Sequence, residues 1–220
     1  MKKSKRDIGL EILDGIREVR SFKVGEIDLS TYNFTRSSFL ASEDPIRQET
    51  GKRMITMDRS AKIESYGNAH DYLLTAIEKF PREMWQYRPA ADEWTIHEII
   101  VHITDSEVNS YVRCRRFLAE PGQPLMVYDE MGWARALDYH SQSTDDALAL
   151  FKWLRKMSYD LIKGIEDESV WSKECFHPES GLMTMDAWLD TYERHVREHV
   201  AQMEGVYERY VAENAGKLMV

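Results

Sequence analysis

The sequence runs to 220 residues, 43% of them hydrophobic and 30% charged, with a formal net charge of -9. That is enough chain for one domain with a sizeable core, and the acidic balance argues against binding nucleic acid or an anionic membrane through clustered positive charge. Cys114 and Cys175 make neither a disulfide framework nor a metal-ligand spacing, and no apolar run approaches the ~20 residues of a membrane span, so the chain reads as cytoplasmic.

Residues 1–53 hold eleven Lys/Arg and nine Asp/Glu, a net of +2 against -11 for the remainder. Ile8, Ile12, Ile16 and Val19 fall at helical spacing and predict a short amphipathic helix over 7–24. From Gly25 to Thr56 the periodicity lapses into Ser, Thr, Gly, Asp and Pro45, the composition of a linker. Residues 1–56 are therefore read as an N-terminal helical extension, 57–213 as the main domain and 214–220 as a tail. The apolar stripe of the extension needs a surface to cover, either on the main domain or on a second copy in a homodimer.

The first long helix is predicted from Arg59 to Phe80, with Ile63, Tyr66, Leu73, Ile77 and Phe80 on one side. Pro81 and Pro89 punctuate the connector that follows. The second helix has a marked start, Thr95 followed three residues later by Glu98, which is a capping box. It continues to about Leu118, where Pro121-Gly122 stop it. Residues 125–142 are irregular, with a short helix near Trp133. A third helix starts near Ser143–Asp146 and ends near Ile165; CFHPESGLM then reads as a loop or small hairpin. The last helix runs from about Thr184 to Val211. Four long helices with short connections and no credible strand pairs predict an all-α, four-helix bundle.

Among seven histidines, His195 and His199 stand four apart in TYERHVREHVAQME, on one helix face shared with Trp188, Tyr192, Met203 and Val206. Such a pair can serve one metal ion, although two solvated histidines beside Arg194, Arg197 and Glu198 would look the same. His102 weighs the choice toward metal. It lies mid-helix between Ile99 and Ile103, and a buried imidazole must find a partner or cost stability. Three neutral imidazoles plus water make a tetrahedral site with one open position, the arrangement of catalytic zinc. Nickel, iron or manganese suits imidazole too. HEIIVH imitates the zincin H-E-x-x-H but is one residue too long: His97 and His102 are ~140° apart around a helix. His97 is therefore expected at the surface, His70 as a satisfied core residue, and His177 at a turn or pocket rim. Cys175 has no base and orienting group nearby and is expected to be an inert thiol.

RPAADEWTIHEIIVHITDSE, HPESGLMTMDAWL and YERHVREHVAQME, in that order and at these separations, resemble the DinB family of DinB/YfiT-like metalloenzymes across Met57 to about Tyr210. The resemblance implies a four-helix bundle with a short extra helix between helices 2 and 3, and a metal triad at His102, His195 and His199. It further implies a metal-dependent transferase or hydrolase acting on a small molecule through a divalent ion, Zn or Ni first and Fe or Mn next. Some relatives use a low-molecular-weight thiol in S-transfer. Asp105, about one turn past His102, and Tyr192, just before His195, are candidates to orient a ligand, though ordinary bundle contacts would place them equally well. The alternative is a non-catalytic, stress-related metal-binding bundle. The extension is faintly similar to the lead-in of helix-turn-helix antitoxins, but no recognition helix follows, so no nucleic-acid partner is expected.

Overall fold

The computed structural model describes residues 57–215; the expected extension over 1–56 and most of the tail lie outside the described residues. The bundle's first arm is two helices, α1 (Arg59–Gly67) and α2 (Ala69–Ile77), rather than the single helix that periodicity predicts. The break falls at Asn68, which stays in the right-handed region at φ -82° but whose ψ of 0° departs from the value of a regular helix. Gly67 explains its position. A Cβ there would sit 2.5 Å from a ring carbon of Tyr159, so the close approach of these two segments needs glycine, at a cost in helix propensity.

The second arm, α3 (Ile96–Ala119), opens on the expected capping box: the Glu98 amide donates to Thr95 Oγ1 at 3.1 Å and the Thr95 amide donates to Glu98 Oε2 at 2.9 Å. The short helix α4 (Glu130–Ala136) follows, capped by Asp129. The third arm, α5 (Thr144–Ile162), is capped by Ser143.

The segment left open as a loop or hairpin is a hairpin, β1 (Glu174–His177) against β2 (Gly181–Thr184), antiparallel with Cys175 opposite Met183. Gly181 takes φ +78°, a conformation glycine adopts without strain. Of the two readings the sequence left open, the hairpin is the one formed, four residues a side. It delivers the chain into the fourth arm, α6 (Met185–Asn214), capped by Thr184.

The core has two apolar clusters. One gathers Leu73, Ile99, Ile103, Phe151, Val200 and Met203; the other Tyr66, Phe117, Ile162, Trp171, Trp188 and Leu189. Between them along α3 and α5 lie Glu107 and Arg155, each 1% exposed and ion-paired at 2.5 Å. Among the described residues no helix is long and apolar enough to cross a membrane.

Candidate metal centre

The inner stripes of α3 and α6 bring His102, His195 and His199 together, with one nitrogen from each lying within 4.8 Å of the others. The ring centroids of His102 are 5.5 Å from His195 and 4.7 Å from His199, and those of the α6 pair are 4.5 Å apart. The helical spacing of four on α6 sets the last distance, and α3 carries His102 in from across the core. Trp94, at 4.5 Å, covers the His102 ring. His102 is 1% exposed.

The three groups fit a metal better than they fit one another. The Nε2 atoms of His195 and His199 meet at 3.2 Å, a contact that only one shared proton can satisfy. Among the described residues His102 Nδ1 is buried without a hydrogen-bond partner, which native interiors seldom tolerate. Burial disfavours the charged form of all three. It pulls His102 down to about 3, with His199 adding repulsion, holds His195 well below its ordinary value, and lowers His199. Neutral imidazoles with free lone pairs are what a cation requires. A donor set of nitrogens alone suits Zn, Ni, Cu or Fe rather than Mg or Ca.

Two neighbours orient the triad, and neither was singled out from sequence. Gln202 Oε1 lies 2.9 Å from His199 Nδ1; accepting its proton leaves Nε2 to face the cluster. Ser106 Oγ lies 3.3 Å from His195 Nε2. Their signal was only register: Ser106 is one turn past His102, and Gln202 nearly one turn past His199.

The two residues expected from sequence as orienting groups are engaged elsewhere. Tyr139 Oη donates to Asp105 at 2.5 Å, and Arg113 donates to Tyr192 Oη at 3.0 Å. The Tyr192 ring stays near the triad, 5.9 Å from that of His195.

His97 stands apart from the triad, facing a surface cleft but half-buried rather than fully exposed. Its amide donates to the Trp85 carbonyl at 2.9 Å, drawing the connector over the start of α3. Its ring is half-buried 6.0 Å from His140. His70 is buried, with Nδ1 3.1 Å from Asp71. His177 Nδ1 accepts from the amides of Glu179 and Ser180 at 3.3 Å each, shaping the hairpin turn. Cys175 is buried and its thiol pushed up by that burial; Cys114 is pushed up to about 12. Both are thiols near neutrality, hence poor nucleophiles. A surface cleft of about 460 Å³ is lined by Arg82, Trp85, His97 and Asp145 but by no member of the triad, so the chemistry is located by the histidines and not by concavity.

The sequence profile of the DinB superfamily matches residues 66–203. A protein of Bacillus cereus (strain 03BB102) named "Putative metal-dependent hydrolase" is 28% identical over 166 residues, covering 75% of this chain and 95% of its own. A relative of the same description from Bacillus thuringiensis subsp. konkukian (strain 97-27) matches to the same extent. Among solved structures, YfiT from Bacillus subtilis superposes with a TM-score of 0.63 at 22% identity, over 76% of this chain and 95% of that one. Its structure is described as a probable metal-dependent hydrolase with an unusual four-helix bundle topology.

Proposed function

The chain belongs to the DinB superfamily, and on that premise we propose that it is a metal-dependent hydrolase of a small molecule, with a divalent cation held by His102, His195 and His199. The observation that carries this reading is the convergence of three nitrogens within 4.8 Å of one another, on imidazoles whose burial favours the neutral, ligating form. When bound, the metal supplies Lewis acidity toward water and carbonyl groups.

The chain's own residues supply the rest. Trp94 shields one side of His102 and keeps solvent from competing for it. Gln202 fixes the tautomer of His199, and Ser106 places a hydroxyl beside His195. Arg113 holds the Tyr192 phenol against the same wall of the core. Among the described residues no carboxylate joins the histidine group, so a divalent ion bound there would keep its full charge. Such a site favours substrates with an oxygen to be polarised, an ester or amide before an alkane.

The test is metal analysis of protein prepared without an affinity tag, followed by hydrolysis assays on a panel of activated esters and amides. Near-stoichiometric metal, with activity lost on chelation and regained on Zn or Ni addition, is the expected result. Protein that takes up no Zn or Ni under any condition overturns the reading. Metal without hydrolysis, but with transfer of a low-molecular-weight thiol, would move the assignment from hydrolase to transferase.

A further inference from the structure

Beyond the triad, α3 and α6 continue as two facing polar stripes. His102, Ser106, Asn109 and Arg113 follow one another at helical spacing on α3. His199, His195 and Tyr192 do so on α6, in the opposite sense. The stripes meet at each level: His102 with His199, Ser106 with His195 at 3.3 Å, Arg113 with Tyr192 at 3.0 Å. A third element joins them. Tyr128, in the segment before α4, brings its hydroxyl toward Ser106, with which it makes no hydrogen bond of normal geometry, and near Asp105 and Tyr192.

Two polar atoms along these stripes are buried and have no partner among the described residues, Tyr128 Oη and Asn109 Oδ1. The Asn109 side chain spends its amide on the Asp105 carbonyl at 2.9 Å. Tyr128 is not loosely placed. Its ring lies 4.6 Å from Trp133, Arg113 donates twice to the Met126 carbonyl just before it, and Asp129 caps α4 just after it. Backbone anchors on both sides thus hold a phenol whose own hydrogen bond is unmade. An unmade bond on a firmly held group destabilises the fold, and such groups call for a reason. At catalytic sites the reason is a ligand.

We propose that Tyr128 is a substrate-contacting residue, its O–H donating to an acceptor oxygen of the molecule that reacts beside the triad. This rests on the metal-site reading above. Ser106 and Tyr128 both present hydroxyl donors here, so the matching substrate is a carbonyl or carboxylate compound, rich in acceptors and small enough to lie between the two helices. Asn109 Oδ1 offers one acceptor for a substrate N–H or O–H.

The variant is Tyr128→Phe in the full chain, read in two ways. In metal-free protein, loss of an unpartnered hydroxyl leaves the thermal midpoint unchanged or raises it. A lowered midpoint means that the hydroxyl is bonded within the fold, and overturns the proposal. In cobalt-loaded protein, acetohydroxamate titrated against the visible cobalt spectrum probes the contact directly. The variant takes up as much cobalt as the wild type and binds acetohydroxamate about 10-fold more weakly, the affinity that one well-made hydrogen bond supplies. Equal affinities overturn the role of Tyr128 and leave the metal site standing. Wild-type protein that takes up no cobalt overturns the metal-site reading and this proposal with it.

Discussion

Arg155 and Glu107 form an ion pair at 2.5 Å with both side chains 1% exposed, and every other bond of that guanidinium ties a further helix to it. Arg155 Nη1 donates to the carbonyls of Tyr66 on α1 and Tyr192 on α6, and Tyr66 Oη donates back to Glu107 on α3 at 2.9 Å. One side chain on α5 therefore meets all three other arms, one turn or so below the triad. Arg155→Ala strips the pair and leaves a buried carboxylate alone, a change that costs ~3–5 kcal/mol. Urea denaturation measures it, and a loss below ~1 kcal/mol would show that water already serves Glu107.

Gly67→Ala tests the break in the first arm. Helix propensity alone favours alanine by ~1 kcal/mol. The added Cβ, however, meets the Tyr159 ring at 2.5 Å, and that ring is tied through its hydroxyl to Glu64. Overpacking of this kind costs ~1–3 kcal/mol, so the variant is expected to be less stable than wild type. A more stable variant would mean that Tyr159 swings away freely.

The sequence was most legible where a feature is local. Thr95 and Glu98 announce α3 because a capping box is made within four residues, and the four-residue step from His195 to His199 is the geometry of one helix turn. His102 was legible because its apolar neighbours Ile99 and Ile103 left it no exposed face. Long-range contacts were not legible. Gly67, beside the break, is required by the close approach of Tyr159 from another arm. Arg155 reads as one more charged residue on an amphipathic helix until Glu107, far away in sequence, is placed against it. Ser106 and Gln202 are ordinary polar residues until the histidines they touch are in place. The hairpin is four residues a side, too short for alternation to declare itself.

Removing single imidazoles separates the triad from its neighbours. His102→Ala, His195→Ala and His199→Ala are each expected to abolish stoichiometric metal uptake, since two nitrogens hold a divalent ion far less firmly than three. His97→Ala is expected to bind as wild type does, because its ring lies against His140 and outside the cluster. Elemental analysis of the four purified variants decides. Metal retained by two of the three triad variants would sink the assignment. Gln202→Ala lies between these extremes: loss of the group facing His199 Nδ1 is expected to weaken affinity ~10–100-fold without abolishing it.

Acid is expected to unload the metal and loosen the bundle over the same interval. Burial, as the first cause, lowers all three histidines in the folded chain: His102 to about 3, His195 well below its ordinary value, His199 by less. In the unfolded chain each takes up its proton near ~6.5. The unfolded state therefore binds more protons below that pH, and the sign follows. Stability from these groups is fully present above ~6.5 and is lost as pH falls from there toward the folded values, which for His102 means a window reaching down to about 3. Each histidine contributes a slope of at most ~1.4 kcal/mol per pH unit within its window. In the folded chain protons compete for the ligating nitrogens only near these lowered values, so metal leaves mainly as acid destabilises the fold, which a ligand bound only by the folded state stabilises by mass action. Equilibrium dialysis from about pH 8 to about pH 4 measures occupancy, and urea melts of metal-free protein measure stability across the range where histidine titrates. His102→Phe, which cannot titrate, is expected to flatten the slope of those melts. Metal lost in fast exchange between about pH 7 and about pH 6, while the metal-free bundle is still folded, would mean that the ligands protonate as free imidazoles do and not as these buried ones.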